Sequence, residues 1–396
     1  MNITEVRTRH HKKEFIDFPK SLYMDDPFWV CPLDSGIEAA FDPQKNHAFR
    51  NGTATRWILT DSEGKTIGRV AAFIDMVRSA ANSQPTGGMG FFEVIENREA
   101  AFMLFDTAKE WLSAREMEAM DGPVNFGEND NNWGLLVEGF MQQGYGMPYN
   151  KKYYKDFFEE YGFKNYFEQY SYHVPVDKFP DRIMKIAEWI SKRPGYSFRH
   201  FEMRNSKKYV NDIVEVYNSA WSAFKDDFTP LDPAILEESL KKAEFIIDED
   251  IIWFAYFNDK PIAFFILFPD VNQILKHLDG KLHPWNMLKV FYYKLTHEMT
   301  RMRAVVGGVH PNYQNSGVES AIFLQLYKVF VKKPWFRELE LSWVGDFNPK
   351  MIAIYEAIGS KKAKTHITYR YLINKDLPFV RYKDEMVAKQ ISQQSH

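Results

Sequence analysis

Cysteine is all but missing: Cys31 stands alone among 396 residues, which excludes an intramolecular disulfide framework and a cysteine-built zinc site. No apolar run comes near the roughly 20 residues needed to span a bilayer. Residues 1–15, MNITEVRTRHHKKEF, lack the apolar centre of a secretion signal. An excess of one charge is missing too. Lys and Arg number 50 against 53 Asp and Glu, a net charge of −3, so composition gives no pull toward nucleic acid or an anionic membrane. His10, His11, His277, His283 and His297 lack metal-ligand spacing, and Cys31 has no local base to make it a nucleophile. Such a chain is expected to be soluble and cytoplasmic, with no metal, nucleic acid or membrane among its partners. What it has in quantity is core material, 45% hydrophobic and 16% aromatic, enough at this length for two domains.

Residues 3–8 suit a short strand and 11–23 a helix, whereas 24–52, rich in proline and turn formers, reads as irregular. Strands over 56–59 and 66–75 flank Asp61-Ser62-Glu63-Gly64, a hairpin signal. A strand over 90–95 leads into a helix over 96–113, where Ala101, Leu104, Phe105, Ala108, Trp111 and Leu112 recur at helical spacing. A strand over 122–126, the polar run 128–132, a helix ending near Gly162 and an alternating strand complete the first half. After the proline-punctuated residues 177–194 the order returns. A strand over 196–201, helices over 207–221 and 233–247, a hairpin over 251–268 and a long connection over 269–300 lead to another strand. The repeat divides the chain into residues 1–176 and 177–396.

The second half carries the more telling stretch. Residues 303–324, RAVVGGVHPNYQNSGVESAIFL, read as a buried strand (Val305, Val306, Val309), a polar turn and an apolar-periodic helix. Gln314, Asn315, Ser316, Gly317 and Val318 would offer backbone N–H groups at a helix N-terminus, where the peptide dipoles favour a phosphate. The pattern Val309-x-Pro311-x-Tyr313-Gln314-x-x-Gly317 resembles the pyrophosphate loop of GNAT-type N-acetyltransferases. A second block, residues 338–359, has a strand, then Asn348, then a helix that carries Tyr355 and is closed by Gly359. It is similar to the segment that flanks the pantetheine arm in that family. The resemblance implies an α/β fold of two tandem GNAT-like units, each a mixed, largely antiparallel sheet flanked by helices. It also implies acetyl-CoA or another acyl-CoA as co-substrate, and direct transfer of the acyl group to a primary amine of a small molecule or peptide.

Acyl transfer to an amine needs the thioester in line with the nucleophile, a donor for the oxyanion and a proton for the departing thiolate. The resemblance gives the oxyanion contact to a backbone N–H of the strand ending at Val309, the proton to Tyr355 and a pantetheine contact to Asn348. Each has a plainer reading. Tyr355 suits an amphipathic core position, Asn348 suits a helix N-cap ahead of Pro349, and residues 314–318 suit an ordinary turn. Glu319 departs from the family pattern, standing where a small residue is usual. Turned outward it favours the helix dipole; turned inward it opposes a pyrophosphate. The general base is not legible. His310, Glu338 and Glu340 are candidates without a deciding feature, and Glu93, mid-strand, would be costly to bury without partners.

The first half reads as a degenerate companion. Residues 96–99 offer no glycine and two carboxylates, and Phe158, which aligns with Tyr355 through Gly162, cannot donate a proton. The loop 128–132 could contact a polar substrate, or be a solvated turn. Aromatics such as Trp221, Phe224 and Phe228 suit core packing; those between Trp221 and Leu231 also border the acceptor site that the family implies, which leaves an apolar or long-chain acceptor open. Two rival functions stay open: a non-catalytic acyl-CoA-binding module, and an aminoacyl-tRNA-dependent transferase, which would want a basic face.

Overall fold

The computed structural model describes residues 1–82, 84–127, 133–177, 179–222 and 230–394. The polar run 128–132 and the aromatics Phe224 and Phe228 lie outside them. Thirteen strands form one sheet. In the first half these are β1 (Asn2–Glu5), β2 (Gly52–Thr60), β3 (Thr66–Asp75), β4 (Thr86–Val94), β5 (Ala119–Gly122), β6 (Leu135–Glu138) and β7 (Lys164–Pro175). In the second they are β8 (Tyr196–His200), β9 (Ile252–Phe257), β10 (Lys260–Pro269), β11 (Arg301–Val309), β12 (Glu338–Gly345) and β13 (Lys361–Leu372). The spatial order is β1-β2-β3-β4-β5-β13-β7-β12-β11-β10-β9-β8, with β6 beside β13. Among the described residues only the β4/β5 and β11/β12 neighbours run parallel.

That order contains an exchange. The first half reaches β5 and the second reaches β12 by the same succession of elements, but the strand that closes each is supplied by the other half. β13 pairs with β5, β7 pairs with β12, and the two closing strands pair antiparallel with each other over most of their length. The alternation of side chains along β7 and β13 defines two faces but names no neighbour, so this swap is invisible in the sequence.

Helices cover both faces. In the first half Arg98–Ser113, capped by Asn97 Oδ1 on the Ala100 N–H at 2.9 Å, buries Ala101, Leu104, Phe105, Ala108 and Leu112, the stripe that its 3.6-residue period predicts. In the second half Val318–Lys332 buries Val318, Ala321, Ile322, Leu326 and Phe330 against Met302, Ala304, Leu339 and Leu341 of β11 and β12. The opposite face of β9 and β10 carries the helices Ser206–Trp221 and Pro233–Ala243, packed on Phe254, Tyr256, Phe264 and Ile266.

Several local expectations shift. Residues 24–52 are not wholly irregular, since Asp34–Ala40 is helical. The strand expected over 122–126 ends at Gly122, and β6 was not foreseen. The connection 269–300 holds a twelve-residue helix, Pro284–Leu295, capped by His283. Its apolar residues run around most of its circumference, so no helical stripe marks it.

Candidate active site

β11 and β12 stay in parallel register for only three pairs, Arg301–Glu338, Met302–Leu339 and Arg303–Glu340. Beyond them the strands part. β11 carries a bulge at the parting: Leu267 opposes Ala304 and Ile266 opposes Val306, leaving Val305 extra and 41% exposed. A bulge re-aims the strand and frees backbone groups from the ladder, which is why such features recur beside active sites. Ser342 Oγ on β12 donates to the Ala304 carbonyl at the root of the gap. From Val306 to Val309, β11 is laddered to β10 on one side and faces the opening on the other.

The first half parts in the same place, after Gly88 and Asp121, but there the gap is filled. The Val124 N–H donates to the Met89 carbonyl at 2.8 Å, and Asn125 Oδ1 accepts from the Phe91 N–H at 2.9 Å. Gly90 is required there, because a Cβ would stand 2.1 Å from the Val124 carbonyl oxygen. Phe158 lies fully buried among aromatics. Glu93 is partnered after all. It accepts from Tyr23 at 2.7 Å and Tyr154 at 2.8 Å, with Arg69 at 3.9 Å, and burial pushes its carboxyl up.

After Val309 the second half turns through a short 3-10 segment, Pro311–Tyr313, capped by His310 Nδ1, and enters the helix at Val318. Asn315 and Gly317 both take left-handed backbones, at φ 62° and 83°. Gln314 Nε2 reaches back toward the Val309 carbonyl at 3.5 Å, and Ser316 Oγ accepts from the Val318 N–H at 3.4 Å. Within the loop the Gln314 and Ser316 N–H groups donate to the Pro311 and Tyr313 carbonyls, at 3.3 and 3.2 Å. Gly317 is pinned from behind by Ile186, 3.0 Å from where its Cβ would sit. Glu319 is half-buried, its carboxyl pushed up by burial and folded back onto its own N–H. It thus holds its charge at the helix N-terminus rather than in solvent.

Asn348 caps the helix Pro349–Ala357, its Oδ1 accepting from the Met351 N–H at 3.2 Å. That helix brings Tyr355 against β7 and β12. The phenol packs edge-on to Tyr172 at 5.4 Å and donates to the Ser342 carbonyl at 3.3 Å. Tyr355 and the bulged strand thus meet at Ser342, the residue that marks the root of the gap. Burial raises the phenol pKa, so the hydroxyl keeps its proton across the neutral and mildly alkaline range.

The sheet face opposite the helix Val318–Lys332 is charged at one end of β11 and aromatic at the other. At the charged end Glu340, fully buried, meets Lys364 at 2.5 Å, His173 at 3.3 Å and Arg301 at 3.6 Å. Burial alone pushes its carboxyl up, but the Lys364 ammonium, the His173 hydrogen bond and the Arg301 guanidinium outweigh it and hold the group well below the ordinary carboxylate range. Asp270 holds Arg301 at 2.5 Å, and Arg303 donates to the Tyr145 carbonyl. Glu340 Oε2, Arg303 Nε and Ser171 Oγ are buried there without hydrogen-bond partners. At the aromatic end, Phe264 and Trp221 lie 3.0 and 3.1 Å from the Cβ position of Gly308, and Tyr217 stacks on Trp221 at 4.7 Å. The sequence reading missed Ser342, Lys364 and the glycines of β11; their roles depend on strand neighbours that no local pattern specifies.

No family profile matches the chain. It is 28% identical over 381 residues to a bacterial ceramide synthase of Caulobacter vibrioides, covering 93% of this chain and 97% of that one. It is 26% identical over 382 residues to Protein YghO of Escherichia coli K12, covering 92% and 94%. Among solved structures it is similar to a tandem GNAT protein from the clavulanic acid biosynthesis pathway. There the TM-score is 0.56 and the identity 12%, over 96% of this chain and 99% of that chain. It is also similar to the GCN5-related glucosamine N-acetyltransferase region of a fungal multi-domain β-N-acetylglucosaminidase. That match has a TM-score of 0.55 and 12% identity, over 93% of this chain and 38% of the other.

Proposed function

We propose that this chain, which has the tandem GNAT fold, is an N-acyltransferase that joins the acyl group of an acyl-CoA to a primary amine on a long-chain, largely apolar molecule. The observation that carries the reading is the open gap between β11 and β12, with Tyr355 at its root and the loop Gln314–Val318 at its end. The 28% identity, end to end, with a protein named as a ceramide synthase supports the acceptor class. A ceramide is the amide of a fatty acid and a long-chain amino alcohol. The aromatic wall of Trp221, Tyr217 and Phe264 is of matching character. The same relative favours a fatty acyl donor over acetyl-CoA.

In this reading residues 177–396 form the acyl-CoA-binding unit and residues 1–176 its degenerate companion, with their closing strands exchanged. The loop Gln314–Val318 holds the pyrophosphate, Val309 and the open edge of β11 hold the pantetheine arm, and Asn348 fixes the helix that carries Tyr355. The amine nitrogen bonds to the thioester carbonyl carbon and the carbon–sulfur bond breaks. The thiolate takes the Tyr355 proton, the amine proton passes to solvent, and solvent returns a proton to the phenolate. Glu319 favours a second reading, a non-catalytic acyl-CoA-binding module.

The test incubates the purified chain with acetyl-CoA or palmitoyl-CoA and a long-chain amino alcohol, following free thiol and amide mass. Thiol release that depends on the amine and is faster with palmitoyl-CoA supports the proposal. Calorimetric binding of acyl-CoA with no thiol release for any amine would replace it with the module reading.

A further inference from the structure

The helix Pro284–Leu295 turns its apolar residues the wrong way for a core. Val290 and Asn286 face inward, onto Val271, Ile274 and Leu278. Asn286 Nδ2 donates to the carbonyls of Leu278 and Lys281 at 3.1 and 2.8 Å, fastening the helix start to the turn beneath it. Trp285, Leu288, Phe291, Tyr292 and Leu295 are 56–79% exposed. Their spacing, three, three, one and three, places them on one side of an α-helix. Leu282, before the helix, is exposed as well, and Phe245, whose carbonyl accepts from Lys294 at 2.5 Å, adds an exposed ring alongside. Scattered single hydrophobics need no explanation, but a contiguous stripe of this length does.

Its charge says what covers it. The helix contains no Asp or Glu, and exposed Lys289 and Lys294 flank the apolar side, with exposed Lys281 just before the helix. The carboxylates nearest in sequence, Asp279 and Glu298, fall before and after it, and Glu298 is engaged by Lys276 at 3.3 Å. Bulky apolar residues with Trp and Tyr, flanked by lysines whose stems bury while their heads stay wet, are the make-up of a helix that lies in a membrane interface. A protein partner would be expected to place a carboxylate pair or a small-residue groove opposite a matching rim; an anionic lipid surface meets the lysines with no such matching. Among the described residues no helix is long and apolar enough to cross a membrane; this one offers a side on which to lie.

We infer that Pro284–Leu295 is a peripheral docking helix for an anionic phospholipid surface. This revises the expectation from composition that no membrane is a partner, because a near-neutral total hides a local basic, apolar patch. The inference does not depend on which amine, if any, is acylated.

The test is flotation of the full chain with vesicles of phosphatidylcholine alone or with phosphatidylglycerol, in the absence of any acyl-CoA. The wild type should float with the anionic vesicles and lose most of that binding in high salt. The double variant Leu288→Glu, Leu295→Glu should lower the partition coefficient at least about tenfold. Both positions are exposed, so the variant should keep the wild-type circular dichroism and melting temperature. Lys289→Glu with Lys294→Glu should abolish the preference for anionic vesicles. Folded wild type that stays in the pellet with both vesicle types would overturn the inference. So would a variant that floats equally well, or light scattering showing a stable wild-type dimer that the double variant converts to monomer.

Discussion

Lys364 lies on β13 and Glu340 on β12, and β7 runs between them, so the 2.5 Å contact joins two strands of the second half across the intervening strand of the first. Neither side chain has appreciable exposure, 0% for Glu340 and 1% for Lys364. Substituting Lys364→Met keeps the length of the side chain and removes the ammonium, leaving Glu340 with His173 at 3.3 Å and Arg301 at 3.6 Å. Breaking a buried pair costs about 3–5 kcal/mol, because an uncompensated charge remains. The residual Arg301 cation places this case near the lower end, about 3 kcal/mol. Pairing it with Glu340→Met removes the stranded charge and should restore most of the loss. The folded-state pKa of Glu340 lies below its ordinary value of 4.5, so its stabilisation is present above about pH 4.5 and lost as pH falls through the folded value. The gap between wild type and Lys364→Met should therefore narrow on acidification below pH 4.5. Urea unfolding followed by circular dichroism at pH 7 and pH 4 measures both effects. A single-variant loss under about 1 kcal/mol, or a gap unchanged between the two pH values, would refute the reasoning.

Tyr355→Phe should lower kcat about 10²- to 10⁴-fold, the range for a positioned general acid, while calorimetry finds the affinity for acyl-CoA unchanged. Because burial raises this phenol's pKa, the wild-type rate should show no alkaline fall from this group near pH 9. Glu319→Gln should tighten acyl-CoA binding several-fold by removing a charge beside the pyrophosphate. Wild type should approach that affinity as pH is lowered, since its carboxyl is already shifted upward; equal affinities at pH 8 would mean the carboxylate does not face the phosphates.

Local signals were legible where chemistry is local. The period of Arg98–Ser113, the Asn348-Pro349 cap and the strand-turn-helix around Gly317 all follow from residues within one turn of each other. Asn348 shows the limit: its cap is visible in the structure and was predictable, whereas a role toward a pantetheine arm is a matter of what lies across the gap. The charged cluster was illegible for a different reason. Glu338 and Glu340 alternate with Leu339 and Leu341, which reads as a half-exposed strand. Yet Glu340 is sealed by Lys364 from one direction and by Arg301 from another. Pro284–Leu295 escaped notice because its outward face is apolar, so the contrast on which periodicity depends is missing.

The exchange of closing strands explains why a half without a cofactor loop should persist. β7 forms the wall on which Tyr355 packs, through Tyr172, and carries His173 into contact with Glu340. The loop after β6 supplies the carbonyls of Gln142 and Gln143 to Arg301, at 3.3 Å each, and that of Tyr145 to Arg303. Without the first half Arg301 would keep Asp270 but lose two carbonyl acceptors, and Arg303 would lose that of Tyr145; buried donors left without acceptors carry a desolvation cost. In the proposed reading, the open gap, the phenol at its root and the charges beneath it are therefore built by both halves, the first contributing β7 and the loop after β6.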